Sequence, residues 1–364
     1  MKSKTLLTLF LLLSIFILSF QNTSAEENNY YSTYGYEQLT SKKEKKLYRA
    51  LEKKMDKFQN SSKNLSEKDD YIVFDYKIPE ELQLSKTTTL DLWEMLKNMH
   101  PEYFWADYIS YYSSPDAERK TKIVTRILLH CYADYANGEE RQKLWASIQE
   151  EIENHYMSLI SEEMPDYEKE YRIHNELIKR IRYSKIGDDI IAEAWSQNIV
   201  GVFTDMHISV CAGYSKAFQL LMNRCGIKCL YVTGYIFYET TNEKLFHAWN
   251  LICLDNEWYN VDVTWDDPDE GIEGAIPQYD YFNFIDSADP NRTFTETLFP
   301  VPFCDSTTYC FANVKRMLVN SGAITTDELP DNNTTDDWEP TGLLKKILDF
   351  IASWFLLRHP YFHI

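Results

Sequence analysis

A chain of 364 residues with 44% hydrophobic side chains has ample material for a packed core, which excludes wholesale disorder and suggests about two domains. Its 56 acidic side chains against 37 basic ones give a net charge of −19. Such a surface repels phosphate backbones, so nucleic acid is excluded as a partner, and the charge favours solubility.

Lys2 and Lys4 precede an apolar run from Leu6 to Phe20, and Thr23-Ser24-Ala25 follows as a small-residue cleavage site. This order predicts a secretory signal peptide over residues 1–25 and a secreted or cell-surface protein. The run is too short for a comfortable membrane span, which favours cleavage over a retained anchor. Removing Lys2 and Lys4 leaves 35 basic against 56 acidic side chains, a net −21. All seven cysteines lie from Cys131 onward, which rules out a lipid-modified cysteine at the cleavage site. An odd count in a secreted chain flags a free thiol. Cys304 and Cys310 are spaced to close a small loop.

Residues 26–166 read as a mainly helical N-terminal region. Glu26 to Gly35 is polar and Tyr-rich, expected to be a loose leader. Lys42 to Phe58 has helical spacing, with Leu47, Ala50, Leu51, Met55 and Phe58 on one face and lysines on the solvated face. Tyr71 to Ile78 alternates and stops at Pro79, as a strand does. Thr89 to Asn98 reads as a short helix, and Tyr103-Phe104-Trp105 as a core aromatic cluster. Glu118 to Ala136 reads as a helix with Gly138 as its stop, and Glu139 to Ile160 as a second helix. Tyr167 to Tyr183 is a third, with His174 on its apolar face as a packed histidine.

Cys211 precedes Ala217, Phe218, Leu221 and Met222 at helical spacing, with Gly226 as the stop, so it opens a buried helix. The positive end of a helix lowers a thiol's pKa, and the free amides there can hold an oxyanion. Small Ala212 and Gly213 would admit a substrate carbonyl. An ordinary buried cysteine is nonetheless the commoner fate of the residue type. Phe246 to Leu254 and Trp258 to Trp265 read as strands joined at Asp255-Asn256, good residues for a tight turn. A two-residue turn pairs Leu254 with Glu257, sets His247 opposite Thr264 and makes Asp262 its diagonal neighbour on the same face, within side-chain reach. A three-residue turn would put Asp262 on the other face. Such a pair suits a base and its orienting carboxylate. It also suits two groups that merely satisfy each other.

The text Val210-Cys211-Ala212-Gly213-Tyr214-Ser215-Lys216-Ala217-Phe218, then His247-Ala248-Trp249-Asn250, then Trp258-Tyr259-Asn260-Val261-Asp262-Val263-Thr264-Trp265-Asp266-Asp267 resembles the three-block signature of bacterial transglutaminase-like proteins. Gly226-Ile227-Lys228-Cys229 and Tyr231-Val232-Thr233-Gly234 are similar to the family's intervening text. The resemblance covers about Tyr167 to Asp286. It implies an α+β, papain-like core, with a Cys-bearing helix packed on an antiparallel sheet that carries His and Asp. It implies Cys211 as nucleophile, His247 as base and Asp262 as orienter. It also implies attack on a carboxamide or peptide carbonyl through an acyl-thioester, with an amine or water taking the acyl group. Peptidase or amidase activity at the cell envelope and an idle binding module are the alternatives.

No side chain before Cys211 stands out as an oxyanion donor. Gln197, Asn198 and His207 are weak candidates, His207 being expected in an exposed loop. No cofactor and no metal is expected: Cys211, Cys225 and Cys229 lack zinc spacing, and Asp266-Asp267-Pro268-Asp269-Glu270 lacks calcium-loop spacing and reads as a solvated acidic loop. The expected organisation is a catalytic domain over 167–290, an extension of its core over 291–324 that holds a short helix at Val314 to Val319, a polar linker over 325–342 and an amphipathic helix over 343–364. That last helix either docks on the protein or makes peripheral membrane contact. A protein or peptide is the expected substrate.

Overall fold

A computed structural model describes residues 30–115, 122–186, 189–238, 242–268 and 276–325. The expected signal peptide, nearly all of the linker and the terminal helix lie outside these residues.

After a single helical turn at Tyr34–Gln38, the N-terminal region continues with helix α1 (Lys42–Gln59). Ser41 caps it by accepting from the Glu44 amide, and its apolar stripe of Leu47, Leu51, Met55 and Phe58 is buried. Strand β1 (Ile72–Lys77), helix α2 (Lys86–Met99) and strands β2 (Ala106–Pro115) and β3 (Lys122–Cys131) follow, and the three strands form an antiparallel sheet in the order β1-β3-β2. Helix α3 (Gly138–Glu151) continues through one π turn, Ile152–Tyr156. Helix α4 (Asp166–Arg180) leads, through two short strand pairs and a helical turn at Ile199–Val202, to helix α5 (Cys211–Arg224). The second sheet holds β4 (Cys229–Tyr238), β5 (Glu243–Leu254), β6 (Glu257–Val261) and β7 (Arg292–Phe294), all antiparallel, in the order β6-β5-β4-β7. Helix α6 (Phe311–Ser321) comes last.

Helix α5 packs on β4 and β5, and this is the papain-like arrangement. One apolar core runs through the whole: Leu51 and Met55 of α1, Leu92 and Leu96 of α2, and Ile127 of β3 join Phe218 and Leu221 of α5 and Trp249 and Leu251 of β5. The N-terminal region is therefore built against the sheet and helix that carry the site.

Several expectations need correction. Residues 122–131 of the anticipated helix over Glu118 to Ala136 form β3, because Ile123, Val124 and Thr125 are β-branched and β1 and β2 flank the segment on both sides. Residues 118–121 of it lie outside the described set. Gly138 stops nothing; it opens α3 behind the Asn137 cap. The expected loose leader is packed from Tyr30 onward: Tyr31 stacks on His100, and Tyr34 meets Trp258 and Phe299 edge-on. Cys304 and Cys310 are both free thiols. The second hairpin strand stops at Val261 rather than Trp265.

Candidate active site

Two local features fix the start of α5. Gly213 lies so close to Ser209 and to the Ser196 carbonyl that a Cβ would strike both, while the Ser209 hydroxyl donates to that carbonyl at 2.7 Å. The small residue thus serves a backbone approach, not the substrate approach expected of it. Asn250 of β5 donates to the carbonyls of Ser215 at 2.8 Å and Leu230 at 3.1 Å, tying α5 to two strands. Cys211 is thereby held as the first helical residue, buried at 6% exposure. Its N-cap, Val210, has no side chain to satisfy the first-turn amides, which leaves the positive end of the helix facing the thiol.

Asp255 and Asn256 both have positive φ, 50° and 66°, so the hairpin takes the even, two-residue turn. Leu254 pairs with Glu257 as the register arithmetic requires, and the ladder runs to Asn250 opposite Val261. The chain then bends: the Asp262 carbonyl accepts from the amides of Trp265 and Asp266, and Thr264 never reaches a place opposite His247. The bend still delivers Asp262 to the imidazole. His247 Nε2 and Asp262 Oδ2 are 2.7 Å apart, and both side chains are buried. Cys211 lies close enough to the imidazole to favour its charged form. The Trp265 ring stacks on the imidazole at 5.1 Å. Burial works against the imidazolium, but Asp262 and Cys211 outweigh it and push the His247 pKa up to about 9. Burial likewise raises the Asp262 pKa, and His247 with Arg292 brings it below the usual carboxylate value.

Cys211, His247 and Asp262 are thus brought together from a helix, a strand and a bend. An imidazole between a thiol and a carboxylate can accept the thiol proton and later donate it. The thiol borders a cavity of about 450 Å³, whose far wall is made by α2 and the start of β2. Gln197 lines this cavity, but its amide donates to the Ala192 carbonyl at 2.8 Å. Asn198 is spent as a cap, accepting from Val200 and donating to the Ala194 carbonyl. His207 is half-buried in a loop, at φ 45°, against the Val202 carbonyl. Lys216 lines the same cavity, with Nζ on the Gln197 carbonyl at 3.0 Å; burial, with Lys97 next, brings its pKa down to about 7 against the pull of Glu94 and Cys211.

Two parts of this neighbourhood left no signal in the sequence. Arg292, thirty residues beyond Asp262 in an unremarkable Asn-Arg-Thr stretch, donates from Nη1 to Asp262 Oδ2 at 2.8 Å and from Nε to Asp289 Oδ2 at 3.0 Å. The acidic run after the bend is not solvated where described: Asp266 and Asp267 are buried. Asp266 bonds His174 of α4 at 3.0 Å and accepts from the Tyr281 amide, and Asp267 accepts from Tyr214 of α5. Burial raises the Asp266 pKa to about 6 although His174 opposes it. These bonds brace the bend that carries Asp262. Among the described residues no His, Cys, Asp and Glu group is arranged to hold a metal ion, and no helix is long and apolar enough to cross a membrane.

With this geometry in view, residues 155–263 match the model of the transglutaminase-like superfamily. This part of the chain is a transglutaminase-like domain, and its α+β fold is that of the superfamily. The kyphoscoliosis peptidases of Homo sapiens and Mus musculus are each 34% identical over 61 residues, 15% of this chain. The chain spans only 9% of their length. A solved structure described as a TGase aligns over 43% of this chain and 44% of its own at 14% identity and a TM-score of 0.27. A cysteine-protease candidate from Cytophaga hutchinsonii aligns over 55% and 79% at 13% identity and a TM-score of 0.24. Overlaps this shallow transfer nothing about activity.

Proposed function

We propose that the protein is a thiol enzyme whose nucleophile is Cys211, acting on a carboxamide or peptide carbonyl of a protein or peptide outside the cell. His247 takes the thiol proton, and the thiolate attacks the carbonyl carbon. The resulting oxyanion rests on the first-turn amides of α5. The imidazolium protonates the leaving amine as the tetrahedral intermediate collapses to an acyl-thioester. An amine or water, deprotonated by His247, then releases the acyl group. Asp262 holds the imidazole in its tautomer throughout. The observation that supports this most is the buried imidazole of His247, held by the Asp262 carboxylate at 2.7 Å and electrostatically coupled to Cys211 at the start of α5.

Alkylation by iodoacetamide tests it. Cys211 is expected to react at pH 6 to 7 at least tenfold faster than an unactivated thiol, and His247→Ala to remove the advantage. A Cys211 that reacts no faster than a free cysteine near neutral pH sinks the enzyme reading and leaves a binding module. With Cys211 active, incorporation of a labelled amine into a glutamine-containing peptide, set against ammonia or peptide release without amine, separates acyl transfer from hydrolysis.

A further inference from the structure

We infer that Arg292 is a positioning residue that sets the pH range in which the Cys211–His247 pair is competent, by sharing the carboxylate oxygen of Asp262 with the imidazole. The inference rests on the thiol-enzyme reading above and adds a fourth charge to its machinery.

The arrangement is specific. Arg292 Nη1 and His247 Nε2 converge on one atom, Asp262 Oδ2, at 2.8 and 2.7 Å. The arginine side chain is only 3% exposed. Its guanidinium carbon lies 4.6 Å from the Trp265 ring, 4.8 Å from Trp249, 5.1 Å from Phe284 and 5.7 Å from Tyr281. Trp249 and Trp265 also flank the imidazole. Cation and imidazole therefore share both a carboxylate and an aromatic enclosure. Arg292 Nη2 is buried with no hydrogen-bond partner among the described residues. Packing alone does not call for such a group, because a hydrophobic side chain in an aromatic enclosure escapes the desolvation that a buried cation suffers.

Two effects follow from a fixed positive charge at this place. It keeps Asp262 ionised, so the imidazole always has its acceptor. It also repels the imidazolium while attracting the thiolate, so both steps by which the thiolate–imidazolium pair forms and is lost fall at lower pH than a lone His–Asp pair would give. The other charged or titratable groups facing this cluster are Asp289, on the arginine's own turn, Asp266 beyond the bend, Tyr281, Tyr238 at the end of β4 and, on the thiol's side, Tyr231 and Lys216. Burial raises all three tyrosines above their ordinary value, so they stay neutral across the working range, and Lys216 is common to the parent and every variant compared below. Asp289 is the group that offsets the arginine's charge.

The test uses the full chain and the pH dependence of Cys211 alkylation by iodoacetamide, followed on the Cys211 peptide by mass spectrometry. A unit charge within about 10 Å at an effective dielectric of about 20 moves a pKa by about one unit. Arg292→Gln is expected to move both titration steps to higher pH by about one unit. Asp289→Asn, which leaves the arginine less compensated, is expected to move them about half a unit the other way. Arg292→Lys retains the charge without the two-carboxylate fork, so its profile stays in place while the rate falls a few-fold. Arg292→Gln and Asp289→Asn profiles that both coincide with the parent overturn the inference and leave Arg292 a structural ion pair. If circular dichroism shows Arg292→Gln unfolded, the Asp289→Asn profile decides alone, and its coincidence with the parent overturns the inference. A parent chain with an unactivated Cys211 would instead sink the proposed function, so the two failures are distinct.

Discussion

Replacing Asp262 with Asn removes a charge that two buried cations share, and the consequence for stability has a defined shape in pH. The His247 pKa stands at about 9 against 6.5 for the free side chain. A rise of that size corresponds to about 3 kcal/mol of stability. Because the folded value is raised, this contribution is fully present below pH 6.5 and is lost as pH rises through 9. The Asp262 pKa is lowered from 3.8, so its own contribution is present above that value and is lost on further acidification. The variant loses Asp262's share of the first and all of the second, and leaves Arg292 and any His247 charge underpaired; breaking a buried pair from one side costs about 3–5 kcal/mol. Urea denaturation of parent and Asp262→Asn across pH 3 to 10 should therefore show a gap of about 3 kcal/mol between pH 4.5 and 6.5. The gap should narrow toward pH 9 and again below pH 4. A gap that is flat in pH, or under about 1 kcal/mol at pH 5.5, would refute the reasoning, since the coupling of His247 to Asp262 demands both its size and its slope.

Two further outcomes follow from the scaffold. Gly213→Ala drives a Cβ into Ser209 and the Ser196 carbonyl; overpacking of this kind costs about 1–3 kcal/mol, read by urea denaturation, and Cys211 alkylation should slow as the start of α5 is pushed away. Glu170 of α4 is buried, with Asn283 donating to one oxygen at 2.9 Å, and burial pushes its pKa up to about 8 from 4.5. A carboxyl whose folded value is raised loses stability as pH climbs from the unfolded to the folded value, on the order of 5 kcal/mol here. Glu170→Gln should remove that decline and be the more stable protein at pH 8 and above; an equal decline in both, by thermal melts from pH 5 to 9, would contradict it.

The sequence by itself determined the parts of the site that obey local rules. Helical spacing after Cys211 with Gly226 as stop placed the thiol at a helix start, because side chains every three to four residues and a residue free to take positive φ are local requirements. Asp255-Asn256 determined the hairpin register, since both residues tolerate the left-handed conformation of a two-residue turn, but the paired ladder stops at Val261 and a bend beyond it, not the register, delivers Asp262 to His247. Strand β3 was misread because Ile, Val and Leu at close spacing fit either period over a short run, and only pairing to β1 and β2 chose between them. The burial of Asp266, Asp267 and His174 was equally out of reach: an acidic run has no local mark that separates a solvated loop from one whose carboxylates meet a histidine 92 residues away. Arg292 is the extreme case. Its place on the oxygen that already accepts from His247 depends on β7 pairing with β4 and on four aromatic rings closing from other segments, and a residue's charge partners across a sheet leave no period or spacing in the chain. The chain's local patterns decided which groups could react; the tertiary fold decided the charges that surround them.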